Sequence, residues 1–292
     1  MFVQHHITHT TTYRYRVPVR FGEHRVLFRP RDSHDLHVLA TDLRVSPESD
    51  VHLIQDVHSN SIALVQPRTS AAELKIVCTF TIEHAPPNHP EPALSAASAW
   101  FPVGYSIDER FDLDPYLRPQ YDDPAGELGA WARRFIRTDG PTGTRELLAA
   151  MTQSIRDTIR YAGREEQGTQ TPLETLRMAS GSCRDLALLM MEAARRLGIA
   201  ARFVSGYLYD PALDGGLGNG TVGAGHTHAW LQAYLPGAGW MPFDPTNNLL
   251  GGTQLIRVGV ARDPAQAAPV TGTWFGNPED YLGMTVEVAV RR

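Results

Sequence analysis

Apolar and polar positions alternate through the first 85 residues with the period of two that turns one face of a strand toward a core. Five runs carry the pattern: THTTTYRYRV, HRVLFRP, LHVLATDLRVSP, SIALVQP and LKIVCTFTIEH. Each is rich in Val, Ile, Thr, Tyr or Leu and is bounded by Pro, Gly, Asp, Ser or Asn, so the region predicts an antiparallel β domain. In the last run Ile76, Cys78 and Phe80 share a face, and Cys78 reads as packing. The passage EHAPPNHPEP closes the region, and the patterning turns helical after it. The expected organisation is a β domain over residues 1–88 and a second domain over 89–292.

In the second domain a stretch containing Trp100 and Tyr105 shows no period. Beyond it Leu147, Met151, Ile155 and Ile159 recur every four residues and draw one apolar stripe along a helix. Thr171, Pro172 and Glu174 start a short helix with a capping box, and Gly181 ends it. The next segment opens GSCRD, with Ser182 as N-cap, Cys183 in the first turn and Asp185 near the third position. Leu186, Leu189, Met190, Ala193 and Leu197 make its buried face, and Gly198 stops it. ARFVSGYLYD, HTHAWLQAYLP and GWMPFD then read as strands, as do TQLIRVGVARDP and GMTVEVAVRR. The first two are separated by DPALDGGLGNGTVGAG, whose glycines permit motion.

The 292 residues are 42% hydrophobic, enough to bury a core in each of two domains. A net charge of -5 supplies no field for nucleic acid or an anionic membrane, and neither is an expected partner. No run approaches the roughly 20 apolar residues of a membrane span, and MFVQHHITHTTTYRYRV lacks a signal-peptide apolar core, so a cytoplasmic location is expected. Two distant cysteines imply no disulfide framework. His5, His6 and His9 read as surface residues.

Chemistry converges on Cys183. A thiol in a first helical turn lies near the positive end of the helix dipole and near unpaired N–H groups, which promote its nucleophilic form and can hold an oxyanion. A second oxyanion donor is not identifiable in the sequence. A nucleophilic cysteine needs an imidazole base with an orienting acceptor. His228 in HTHAWLQAY and Asp244 in FDPT follow in order, on strands that a hairpin would make neighbours. Trp230, on the face of His228, and Tyr207, in SGYLYD, are the candidate substrate-binding residues. His226 sits two residues from His228, which raises a metal site with Cys183, but HExxH and CxxC patterns are absent and no metal is expected.

GSCRDLALLMMEAARRLGIAARFVSGYL followed by HTHAWLQAYLPGAGWMPFDPT resembles the core of the bacterial transglutaminase-like superfamily, over roughly residues 142 to 250. YRYRVPV, LFRPR and the D-x-x-x-N of Asp56 to Asn60 resemble the N-terminal region that precedes this core in bacteria. The resemblance implies an α+β chain with a papain-like core behind an antiparallel β domain. It implies that Cys183 is the nucleophile, His228 the general base and acid, and Asp244 the residue that orients the imidazole. The substrate would be a peptide or protein amide, taken through a thioester that passes to water or to an amine, with no cofactor. An arylamine-type N-acyltransferase shares the Cys, His, Asp order, but its Arg-Gly-Gly lead-in is missing. The residues also leave open a catalytically silent binding or scaffold module and a zinc hydrolase. Acyl acceptor and oligomeric state stay open at this level.

Overall fold

The N-terminal alternation folds around one long strand. The structure, a computed structural model, describes residues 3–84, 93–164, 168–210, 222, 225–252 and 254–292. Strands β1 (Val3–Val26), β2 (Leu36–Ser46), β3 (Ser49–Gln55), β4 (Ser61–Pro67) and β5 (Ala71–His84) lie in the order β2-β5-β1-β4-β3. The first half of β1 pairs antiparallel with β5, from Val3 opposite His84 to Arg14 opposite Glu73, and its end pairs with β4. Ile76, Cys78 and Phe80 are buried together, as the alternation predicts. β3 is not visible in the sequence because it is an edge strand exposed on both faces, which erases the period of two.

The rest of the chain runs α1 (Ala96–Ala99), β6 (Trp100–Phe101), α2 (Ile107–Leu117), α3 (Glu127–Arg133), β7 (Thr142–Gly143), α4 (Thr144–Thr158), β8 (Arg160–Tyr161), α5 (Pro172–Met178), β9 (Ser180–Gly181) and α6 (Cys183–Arg196). Then come β10 (Ala201–Leu208), β11 (Thr227–Leu235), β12 (Gly239–Asp244), β13 (Leu249–Leu250), β14 (Leu255–Ala261), β15 (Val270–Phe275) and β16 (Tyr281–Arg291). α2 lies in the stretch without a period: its Ile107 and Phe111 face solvent, so no apolar stripe marks it. Its capping box of Ser106 and Glu109 is the signal that was there to find.

α6 is the core of the second domain. Expected to bury one face, it is buried almost all round from Asp185 to Arg195, because it packs against β10 and β11 and also against α3, α4 and α5. The stripe of α4, Leu147 to Ile155, joins the same cluster. The charges this encloses are paired: Arg195 donates to Glu192 at 2.8 Å and to the carbonyl oxygens of Ala201 and Arg262, while Glu192 also accepts from Arg196. β10 and β11 sit centrally in a five-stranded antiparallel sheet ordered β13-β12-β11-β10-β14.

Two expectations are corrected here. A boundary at residue 88 gives the last strands to the second domain, but β16 pairs with β1 along His6 to Tyr15 and β15 pairs with it along Arg20 to Val26. β5 and β4 each occupy one edge of β1 and leave the other open, and the C-terminal strands fill it. His5 and His9 are not surface residues, although His6 is exposed. They occupy inward positions of β1 against the second domain: His9 Nδ1 accepts from the Tyr207 hydroxyl at 2.8 Å and the His5 ring lies 4.4 Å from that of Tyr209, while His9 Nε2 meets Thr11 Oγ1 of its own strand at 3.1 Å. The Gly-rich loop falls largely on residues 211–221, 223 and 224, outside the described residues.

The D-x-x-x-N turn ties the two sheets together. Asn60 donates to the carbonyl of Val260 at 2.7 Å and accepts from its N–H at 2.9 Å, pairing the outer edge of β14 as a strand would. Asp56 holds Asn60 through its backbone and its side-chain amide and forms an ion pair with Arg25. Among the described residues no helix is long and apolar enough to cross a membrane.

Candidate active site

The start of α6 is fixed by a buried carboxylate. Asp185 accepts from the N–H and hydroxyl of Ser182, both at 2.8 Å, from the N–H of Gln170 at 2.8 Å, and from Arg164 Nη1 at 3.0 Å. A Cβ on Gly181 would come within 2.8 Å of the Asp185 Cβ, so the turn into the helix needs glycine for close approach. Cys183, the next residue after Ser182, is thereby held in the first turn with its side chain nearly buried. The same turn is braced by a short parallel ladder, in which Arg160 lies opposite Ser180 and Tyr161 opposite Gly181.

That ladder brings in a residue the sequence did not single out. Tyr161 is 38% exposed, and its phenol is pushed above its usual range by burial first and then by the charge of Cys183, which puts it within electrostatic reach of the thiol. A two-residue parallel pairing leaves no periodic signal, and Tyr161 follows α4 as an ordinary strand-former.

His228 lies on β11 opposite Gly206 of β10, and Asp244 ends the neighbouring β12. His228 Nε2 donates to Asp244 Oδ2 at 2.8 Å, with both side chains buried. Asp244 also accepts from Asn247 Nδ2 at 2.9 Å and from the Thr246 N–H at 2.9 Å. Burial alone would raise the carboxyl, but the charge and hydrogen bond of His228, with these further donors, outweigh it and hold Asp244 below the usual carboxylate range. For His228 burial alone favours the neutral ring. The Asp244 charge and hydrogen bond, reinforced by Cys183, reverse this and raise it well above an ordinary histidine.

The second nitrogen of His228 is not engaged by Asp244. Nδ1 is buried and makes no hydrogen bond by strict geometry, yet Cys183 influences the ring both as a hydrogen-bonding and as a charged neighbour. With Nε2 committed to Asp244, Nδ1 is the ring nitrogen left for the thiol. Cys183, His228 and Asp244 are all buried, with His228 bonded to Asp244 and within electrostatic reach of the thiol.

The two substrate-binding candidates are placed differently. Trp230 is buried in an apolar cluster with Val204, Leu208, Leu255 and Val260, and its ring stacks on His228 with centroids 6.0 Å apart. It backs the imidazole instead of lining a cleft. Tyr207 is buried in the core shared with the N-terminal sheet, its hydroxyl bound to His9, and is withdrawn from any substrate. Both positions follow from strand alternation, which fixes a face but not what covers it. His226 is exposed while His228 is buried, and among the described residues no group of three or more His, Cys, Asp or Glu side chains could hold a metal.

Similarity to known proteins agrees with this geometry. The family model for the transglutaminase-like superfamily matches residues 129–245, and that for the bacterial transglutaminase-like N-terminal region matches residues 5–83. An uncharacterized Mycobacterium leprae protein is 27% identical over 283 residues, covering 97% of each chain. A Mycobacterium tuberculosis protein is 27% identical over 299 residues, covering 98% of this chain and 92% of its own. The crystal structure of a "Putative Cysteine Protease from Cytophaga hutchinsonii" superposes with a TM-score of 0.73 at 21% identity, over 99% of this chain and 91% of that one, and so shares the fold. Residues 129–245 thus match a transglutaminase-like core, behind a bacterial transglutaminase-like N-terminal region matched at residues 5–83.

Proposed function

We propose that the protein is a cysteine-dependent enzyme acting on peptide or protein amides through a thioester on Cys183. The observation that carries the reading is the buried His228–Asp244 pair, 2.8 Å apart, whose ring is raised in pKa by the Asp244 charge and further by Cys183. Asp244 keeps the proton on Nε2, which leaves Nδ1 to take the thiol proton. The sulfur then attacks the amide carbonyl, and the oxyanion is met by the Cys183 N–H, which has no intrahelical acceptor, and by the Tyr161 hydroxyl. His228 returns the proton to the departing amine, the C–N bond breaks and the thioester remains. Water or a primary amine, deprotonated by His228, attacks the thioester and releases Cys183 as thiol. An N-acyltransferase differs in the identity of the acyl donor or of that acceptor.

A silent scaffold has no need for a desolvated His–Asp pair, whose burial costs stability that an apolar pair would spare. A reducing compartment such as the cytoplasm would keep both free cysteines, Cys78 and Cys183, as thiols. The test is timed iodoacetamide labelling read by mass spectrometry, with Cys78 as internal control because burial pushes its thiol up to about 12. Cys183 should label at least tenfold faster than Cys78 at neutral pH, and His228→Ala should remove the advantage. Equal rates at the two cysteines would end the catalytic reading. With labelling established, ammonia or amine release from a peptide library separates hydrolysis from acyl transfer.

A further inference from the structure

A second concave site lies where α2, β10, β11, β12 and the turn between β3 and β4 meet. Its volume is about 350 Å³, at the small end of ligand pockets, and Cys183, His228 and Asp244 are not among its lining residues. At its base is Arg202. The guanidinium carbon sits 4.1 Å from the centre of the Trp240 ring, and Nε donates to Gln232 Oε1 at 2.9 Å. Among the described residues no carboxylate lies within ion-pair distance of Arg202. Desolvation and then the charges of Arg257 and Arg31 bring it down to about 9, and the opposing pull comes from the Tyr116 phenol. A largely desolvated guanidinium stacked on one face and without a counterion is a costly arrangement, and its remaining N–H groups form a fork suited to a carboxylate.

The walls are fixed before any ligand arrives. Tyr116 and Tyr234 meet Trp240 edge-on at 5.3 and 5.4 Å. Tyr116 is further locked by His58 Nδ1, 2.9 Å from its hydroxyl. His58 belongs to the Asp56–Asn60 turn, whose Ser59 adopts a left-handed φ of 60° and whose Asn60 is anchored to β14. The D-x-x-x-N motif, which the catalytic reading does not use, thus builds one wall. At the rim stand Glu109 and the exposed Asp112, both from α2.

We propose that this pocket binds a free α-amino acid, its carboxylate on Arg202 and its ammonium between the aromatic faces and the carboxylates of Glu109 and Asp112. Two negative charges at the rim repel a dianion such as phosphate and attract a cation, while the base of the pocket requires an anion. A free amino acid carries both charges one carbon apart. Tyr116 and Tyr234, which line the pocket, add aromatic contact for an ammonium to the acidic rim. The proposal stands apart from the Cys183 chemistry and survives its failure.

Titration calorimetry of the full chain tests it, using the twenty free L-amino acids, the α-amide and N-acetyl derivative of any that bind, and inorganic phosphate. At least one amino acid should bind at millimolar Kd or tighter, and both blocked derivatives should bind at least tenfold more weakly. Arg202→Gln should weaken binding at least tenfold and the rim variant Asp112→Asn about threefold, with Cys183→Ala unchanged. Asp112→Asn keeps the test intact if Arg202→Gln fails to fold, since Asp112 is exposed. The proposal is overturned if no amino acid binds, if phosphate binds more tightly, if the blocked derivatives bind as well as the parent, or if Cys183→Ala abolishes binding.

Discussion

Asp185→Ala tests whether the doorway of α6 is held by one carboxylate. The side chain is fully buried and receives four donors: the Ser182 N–H, the Ser182 hydroxyl, the Gln170 N–H and Arg164. Alanine leaves two backbone N–H groups and a guanidinium without their acceptor. Each unsatisfied buried donor costs about 1–3 kcal/mol, and breaking a buried ion pair costs about 3–5 kcal/mol. The Arg164 side chain is 20% exposed and can turn to water, so its share is the smaller one. A total near 4 kcal/mol is expected, a large fraction of the roughly 5–15 kcal/mol that holds a domain folded. Asp185→Asn keeps one acceptor oxygen but turns an NH₂ toward donors, and about 2 kcal/mol is expected of it. Urea unfolding followed by circular dichroism reads both, provided the slope is unchanged. A loss below about 1 kcal/mol for the alanine variant would refute the argument. It would mean that the Gly181–Cys183 turn is held by the β8–β9 ladder alone, and that Cys183 does not depend on Asp185 for its position.

Gly206→Ala should destabilise by more than about 3 kcal/mol, because its Cβ would meet the Ile256 carbonyl oxygen at 2.1 Å and the Trp230 ring at 2.8 Å; a wild-type melting temperature would contradict this. Asn60→Ala should cost about 2–4 kcal/mol by orphaning the Val260 N–H and C=O, and hydrogen exchange at Val260 should rise while exchange in α6 does not; protection unchanged at Val260 would count against the tie. Stability should fall on acidification. Burial lowers His9 from 6.5 to about 3, and His24, His58 and His84 are lowered in the same sense, again chiefly by burial. His9, His24 and His84 are buried and His58 half-buried in the neutral form, so the unfolded chain binds more protons, and the stability they carry is present above pH 6.5 and lost as pH falls toward 3. His228 has the opposite sign: its contribution is complete below its unfolded value and is lost as pH rises toward its raised one. Urea midpoints should therefore peak near neutrality, and His9→Asn should flatten the acid limb; an acid limb unaltered by that substitution would tell against the assignment.

How far the sequence reached follows from the range of each interaction. Ser182, Asp185, Gly181 and the apolar spacing after Cys183 act within one or two turns, and the helix start is legible from them. The pairing of His228 with Asp244 needs only neighbouring strands joined by a tight turn, and it is legible too. Tyr161 reaches the site through a ladder between Arg160–Tyr161 and Ser180–Gly181, two residues each, too short to have a period. His9 and Tyr207 are 198 residues apart, and neither reads as buried because each looks polar until the other is supplied. The same reasoning explains β15 and β16. Their alternation declares them strands, but only the open edge of β1 decides which sheet receives them. His5 and His9 on the inner face of β1 are thus interface residues, buried against Tyr209 and Tyr207 of the second domain. Tyr207 and Tyr209 join the core of the N-terminal region and β16 pairs with its longest strand, so residues more than a hundred positions away complete a sheet whose own sequence shows only strands.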